Sequence, residues 1–428
     1  YLPGYAFSPA LNGQFAQYIR DNRGERWIVG NEVDRGPNPG ETDPTRRGQG
    51  DTFPDVYAQA YPEAYWFIKR LDPTAQVAIS GLVQVTPGRL QYLNKVWNTY
   101  QQLYAVPMPV DVWTMHLYVL PEVEADGVTA NGIANVALGT DPTLGKRSSD
   151  GNPQACADAD VYCYAEHDDL SAFAEQVQAM RQWMKAHGQK EKPLLLTEYS
   201  ILFPFEDDGA TCFLQDEFGN CFTPERVSEF MTKTMDYLNS AADPALGYSL
   251  DNDRLIQQSM WFSIYNTAEG SSSNLVEQDL VTFTKMGQTF SNYVIDEPVK
   301  VNLIAEQTQQ AVGFAGINGT AAVNIPAAFR NNGNSRIDQS FKVTFYEDAG
   351  LSQPIGSATV SAAALGCASR PYQTSVAWSG LSEGVYDYWY LLDSGDDISE
   401  VPAGNEDNVG RGKVVVVGDA ILLPNVLK

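Results

Sequence analysis

The chain has 428 residues, 43% of them hydrophobic, with 28 Lys and Arg against 53 Asp and Glu, a formal net charge of −25. That length suits two or three domains with sizeable cores and excludes a disordered chain. The charge argues against a nucleic-acid partner, whose phosphates it would repel, although acidity also serves solubility; no apolar run approaches the roughly 18 residues of a membrane helix.

To about residue 295, strand-like and helix-like segments alternate, which predicts a parallel α/β architecture. The first strand reads RWIVGN, and an amide and a carboxylate, Asn31 and Glu32, follow it directly. After a Gly/Pro/Arg-rich loop, DVYAQAYPEAYWFIKRLDP carries Tyr57, Tyr61, Tyr65 and Ile68 at helical spacing, with Pro62 expected to kink the helix or delay its start. AQVAISGL is a second strand, RLQYLNKVWNTYQQLY a second helix, and VDVWTMHLY a third strand, apolar enough to be buried on both faces. A polar stretch follows from about 119 to 167. A helix then ends at Gly188 as a C-cap glycine would, and PLLLTEY is the fourth strand. A second long loop spans 201 to 222. Thr223 then caps a helix with Pro224 at its first position, LIQQSMWFSIY is the fifth strand, and FTKMGQTFSNYV is a final helix.

Beyond DEPVK the pattern changes. Short alternating segments separated by Gly, Asn and Asp predict an antiparallel β-sandwich. The expected domains are 1–295, 296–418 and a tail at 419–428.

Cys156 and Cys163 flank CADADVYC, and Cys212 and Cys221 flank CFLQDEFGNC. Neither spacing suits zinc, and the chain has three His. Two local disulfides and an extracellular setting are the reading, against five free thiols in a cytosolic protein. Cys367 is then left as a small buried residue.

In an α/β barrel, chemistry gathers at the C-terminal ends of the strands. Asn31 and Glu32, His116 and Tyr118, Glu198, and Trp261 all stand there. Paired carboxyls are what glycoside hydrolysis needs. One protonates the leaving oxygen, while the other attacks the anomeric carbon or activates water. A tryptophan offers a platform for a sugar, and Tyr or His orients the carboxylate. Taken singly, each residue reads as well as a solvated carboxylate, a core histidine or a packing tryptophan.

The ordered set GNE, HLY, LLLTEY and a Trp-bearing strand, over about residues 10–295, resembles the clan A glycoside hydrolases, retaining (β/α)8-barrel enzymes. The resemblance implies that Glu32 is the general acid/base and Glu198 the nucleophile. Asn31 would touch the neighbouring sugar hydroxyl, His116 and Tyr118 would line the site, and Trp261 would floor the sugar subsite. It also implies that the five strands are barrel strands four to eight. Five strands cannot close a barrel, so an N-terminal segment or a separate chain is expected to complete it. The two insertions would then overhang the site and set substrate choice. No cofactor is implied.

FKVTFYEDAG and GVYDYWYLLDSGDDISEVPAGNEDN resemble a CARDB-type immunoglobulin-like module, which implies adhesion, spacing or partner contact. Tyr386, Tyr388 and Tyr390 share one strand face and read as a sugar-binding stripe or, in preference, as core. The acidic loop Asp393, Asp396, Asp397, Glu400, Glu406 and Asp407 reads as solvated charge in preference to a calcium site. NGT at Asn318 is a glycosylation sequon.

The expected whole is an extracellular retaining hydrolase of β-linked polysaccharide or oligosaccharide. Its rival is a non-catalytic, glycan-binding or structural surface protein built on the same barrel.

Overall fold

The computed structural model describes residues 5–35, 50, 52–120, 122–123, 136–137, 146–147, 161–162, 167–202, 204–205, 212, 215–216, 219–266, 273–361, 364–368, 370–401 and 407–418. It divides into two compact units, Tyr1–Glu297 and Pro298–Lys428, two residues later than the boundary expected from sequence.

In the first unit, five strands are β1 (Arg26–Val29), β2 (Gln76–Ile79), β3 (Trp113–Leu117), β4 (Leu194–Tyr199) and β5 (Gln258–Trp261). β1 pairs with β2, β3 with β4 and β4 with β5, all parallel, and a parallel bridge from Ala78 to Val112 joins the two groups. Sequential order and parallel sense require a crossover between neighbours. Helices α2 (Pro54–Leu71) and α3 (Pro87–Tyr104) fill the first two crossovers. α4 (Leu170–Ala186) and α5 (Pro224–Ser240) fill the next two. α1 (Gly13–Asp21) precedes β1, and α6 (Lys285–Asp296) follows β5. The five strands form an arc. A closed barrel does not occur among the described residues.

The caps follow the sequence. Thr223 Oγ1 accepts from the Arg226 amide with Pro224 opening α5, and Gly188, just past α4, takes a φ of +70°. Pro62 neither delays nor ends α2, which runs from 54 to 71 with Pro62 inside it. β2 and β3 are buried at every residue, as strands covered on both faces should be, whereas β1 and β5 are not. The core beneath the helices includes Tyr61, Trp113, Phe173, Leu196 and Met231.

The second unit has β6 (Leu303–Glu306), β7 (Ala311–Phe314), β8 (Ala321–Asn331), β9 (Phe341–Tyr346), β10 (Pro354–Val360), β11 (Tyr372–Leu381), β12 (Gly384–Leu391) and β13 (Val409–Val417). They form a three-stranded sheet, β6-β8-β11, and a five-stranded sheet, β7-β13-β12-β9-β10, around one core. All pairs are antiparallel except β7 with β13. Tyr388 and Tyr390 are fully buried, and their hydroxyls donate to the carbonyls of Pro326 and Ala328, so the tyrosine stripe is core and not a sugar platform. Tyr386 packs its edge on Trp378. Cys367 is partly exposed in a positive-φ turn, contrary to the buried position expected of it.

Candidate active site

The chain leaves β1 through a tight reversal. Gly30 has a φ of +96°, and Glu32 itself a φ of +45°. A non-glycine residue held there is strained by about 1–3 kcal/mol, so its surroundings must hold it. They do: the Glu32 amide donates to the Gly81 carbonyl at the end of β2. Two residues on, Asp34 and Arg89 of α3 form an ion pair with both side chains wholly buried, and Asp34 Oδ1 also accepts from the Val83 amide. The turn is therefore bolted to β2 and α3, and Glu32 is aimed across the rim rather than out into solvent.

What it meets comes from β3 and β4. Their register sets His116 beside Glu198, with an irregularity after Met115. His116 Nδ1 lies 3.0 Å from Glu32 Oε1 and 3.5 Å from Glu198 Oε2. The Tyr118 hydroxyl donates to Glu198 Oε2 at 2.9 Å. Each of Glu32, His116 and Glu198 presents a donor atom within 4.8 Å of the others, so the two carboxyl groups approach to that distance at most. Beyond β3, Gln84 and Leu120 exchange two hydrogen bonds, amide side chain to backbone, which hold the next rim segment.

The two carboxyls differ in environment. The Glu32 side chain is 5% exposed and that of Glu198 26%. Burial pushes both toward the neutral form. At Glu198 burial, with the Glu32 charge added, prevails over His116, Tyr118 and Arg35, and its carboxyl is raised above the usual range. At Glu32 the His116 hydrogen bond and the electrostatic influence of His116, Arg35 and Arg89 outweigh burial, and its carboxyl is lowered. Arg35 Nη1 stands 3.4 Å from Glu32 Oε2. The Tyr118 hydroxyl is pushed well up by burial and then by Glu198, which keeps it a donor.

The structure therefore brings Glu32, His116, Tyr118 and Glu198 together. Asn31 is exposed beside them. Trp261 is not in the group. It is 8% exposed, packs edge-on against Tyr199, and donates Nε1 to the Ser273 carbonyl at 2.8 Å. Side chains alternate along a strand, and the next residue, Phe262, takes the other side, with its ring 6.3 Å from that of Tyr118. Expecting Trp261 at the site puts the aromatic on the wrong parity. Arg35 and the Asp34–Arg89 pair also escaped the sequence. Arg35 and Asp34 stand within three residues of Glu32 in RWIVGNEVDRGP, while Arg89 is brought in only by folding.

Of the insertions, Cys156 and Cys163 lie outside the described residues. Cys212 and Cys221 are disulfide-bonded. Arg226 of α5 grips Asp168 with two nitrogens, at 2.6 and 2.8 Å, and Asp216 with a third at 2.8 Å. Its guanidinium also lies over the Phe222 ring. One cation thus ties the second loop to the chain that enters α4.

Glu32, His116 and Glu198 are the one group of described residues whose donor atoms converge closely enough to hold a metal ion. In the acidic loop of the second unit two carboxylates are spent otherwise. Asp393 accepts from the Asp397 and Ile398 amides, and Glu400 from the Leu303 amide and the Asn408 side chain. Glu406 lies outside the described residues.

No protein-family profile matches this chain, and no curated protein matches it. Among solved structures, a GH128 endo-β-1,3-glucanase from Pseudomonas viridiflava is similar at 15% identity and a TM-score of 0.36, over 65% of this chain and 73% of its own. A family 44 xyloglucanase from Paenibacillus polymyxa is similar at 12% identity and a TM-score of 0.31, over 89% and 70%. A CARDB domain from Pyrococcus furiosus, solved with di-metal ions, is similar at 18% identity and a TM-score of 0.22, over 29% and 99%. Overlap of this size carries no weight for the reaction.

Proposed function

We propose that the first unit carries the catalytic face of an extracellular glycoside hydrolase that cleaves β-linked glycans with retention of configuration. The observation that carries this is the approach of Glu32 and Glu198 to within 4.8 Å on the rim of a parallel arc. Carboxyls that act as nucleophile and acid/base stand about 5–5.5 Å apart, whereas inverting pairs stand about 6.5–9.5 Å apart to admit a water.

In the first step a Glu198 oxygen attacks the anomeric carbon as Glu32 gives its proton to the departing oxygen. Glu32 then takes a proton from water, which displaces Glu198. Tyr118 and His116 orient the two groups, and Phe262 takes the platform role expected of Trp261. The reaction needs no metal, so a chelator leaves the rate unchanged. The Cys212–Cys221 disulfide supports the extracellular setting.

A second assignment exchanges the two roles, and one observation favours it. In the free site Glu198 is the carboxyl raised toward the protonated form and Glu32 the one lowered. Azide rescue separates the two. If Glu32 is the acid/base, Glu32→Ala with azide yields a glycosyl azide of retained configuration, and Glu198→Ala yields the inverted one. Swapped products reverse the roles. No turnover on a broad panel of β-linked glycans, with binding retained, would instead make this a glycan-binding protein.

A further inference from the structure

Glu32, His116 and Glu198 reach one point from three separate places in the chain. Glu32 stands on the reversal after β1, His116 on β3 and Glu198 on β4. Their side chains are 5%, 3% and 26% exposed, so two are sealed and Glu198 opens to water. His116 turns Nδ1 toward both carboxyls, 3.0 Å from Glu32 Oε1 and 3.5 Å from Glu198 Oε2. A tetrahedral zinc ion holds nitrogen and oxygen ligands at about 2.1 Å, which sets them about 3.4 Å apart. The two distances from Nδ1 bracket that spacing. Only the carboxyl–carboxyl distance, 4.8 Å at most, can exceed it by much, and it involves Glu198, the most exposed of the three.

The donor chemistry selects the ion. One imidazole and two carboxylates, with an open fourth position on the Glu198 side, suit zinc, and the two carboxylates balance its charge. Calcium asks for six or more oxygens and magnesium for an octahedron of them. The contacts that orient ligands from outside are also present. The Tyr118 hydroxyl donates to Glu198 Oε2 at 2.9 Å. Arg35 Nη1 stands 3.4 Å from Glu32 Oε2, so its charge, which opposes a second cation, lies on the other oxygen from the one that faces His116. The imidazole is fixed from behind. It lies against the bare backbone of Gly81, where a Cβ would come within 2.6 Å of Cδ2, and the His116 amide donates to the Leu82 carbonyl.

We infer that one zinc ion binds between Glu32, His116 and Glu198 and shuts the site against glycan. The ion replaces the proton held between His116 Nδ1 and Glu32 Oε1, and that proton goes to water. It ties up an oxygen of each carboxyl, so neither attack on the anomeric carbon nor proton transfer can proceed. Zinc is thus an inhibitor of this site and not its cofactor. The inhibition rests on the proposed reaction; the binding of the ion does not.

The test titrates the metal-free chain with zinc chloride by calorimetry, with calcium chloride as the control, and records X-ray absorption of the zinc complex. The expected result is one ion per chain, held by nitrogen and oxygen without sulfur. Affinity should fall in Glu198→Gln and in His116→Gln by more than the roughly 10-fold that loss of an outer contact costs. If His116→Gln does not fold, Glu198→Gln decides alone. The inference is overturned by no heat up to millimolar zinc, by sulfur ligation, by an equal response to calcium, or by unchanged affinity in the variants. On a glycan found by screening, zinc is expected to raise KM and leave kcat unchanged; a lowered kcat at saturating glycan overturns the exclusion of sugar. Zinc binding without turnover of any glycan upholds the ion site and removes the proposed reaction, whereas turnover without zinc binding does the reverse.

Discussion

Gly81 is where packing and the candidate chemistry meet most closely. A Cβ at that position would lie 2.6 Å from His116 Cδ2, 2.9 Å from Nε2 and 3.3 Å from Thr197 Oγ1, where ordinary contact begins at 3.4 Å. In Gly81→Ala the imidazole must therefore retreat by about 0.8 Å. It has little freedom to do so, because the ring is 3% exposed and its backbone amide is bonded to the Leu82 carbonyl. Overfilling of this kind costs about 1–3 kcal/mol of stability. The retreat also displaces Nδ1, on the far side of the ring, from the 3.0 Å geometry it holds with Glu32. A misplacement near 1 Å at a reacting site lowers the rate by up to about 100-fold. The assay pairs thermal denaturation with kcat/KM on the glycan found by screening. Gly13→Ala serves as the control, since nothing lies within 4 Å of its new methyl. If Gly81→Ala melts and turns over like the parent, the tight seat of His116 is not what holds the site.

The two carboxyls should answer pH with opposite signs. Glu198 has a raised folded pKa, so its charge weakens the fold once pH exceeds that value; Glu198→Gln is expected to be more stable than the parent at pH 7, with the gain fading toward pH 4. Glu32 has a lowered one, so its charge adds stability above the ordinary carboxylate range that is lost as pH falls; Glu32→Gln is expected to be less stable at pH 7, converging with the parent in acid. Melting curves between pH 4 and 8 decide, and shifts of the same sign would contradict the burial and charge argument. Arg89→Ala leaves Asp34 sealed in without its guanidinium partner, which should cost about 3–5 kcal/mol in denaturant titration. A loss below 1 kcal/mol would mean the pair does not bolt the Glu32 turn.

The strands and caps of the first unit were legible because their signals are local. Apolar runs broken by Gly, Pro and Asp mark β2 and β3, and Thr223 with Pro224 opens α5 whatever surrounds it. Glu32, His116, Tyr118 and Glu198 were legible because strand ends in a parallel sheet share a rim. Trp261 failed for a physical reason. Over the last residues of a strand, two adjacent aromatics fit either parity, and only the neighbours on β4 decide which one turns inward. The Asp34–Arg89 pair joins residues 55 positions apart, and sequence spacing carries no trace of it. The tyrosines of β12 carry their hydroxyls into a core because carbonyls of β8 wait there, and that partnership also exists only once the sheets face each other.

The ends of the first insertion are each fastened, Leu120 by Gln84 and Asp168 by Arg226. Closing a chain between two fixed points costs little more when the chain is longer, about 0.6 kcal/mol for each doubling. Length and sequence between those fasteners are thus nearly free variables, while the rim outside them is not. Related chains can exchange the whole stretch for a shorter or longer one without moving an atom of Glu32, His116 or Glu198.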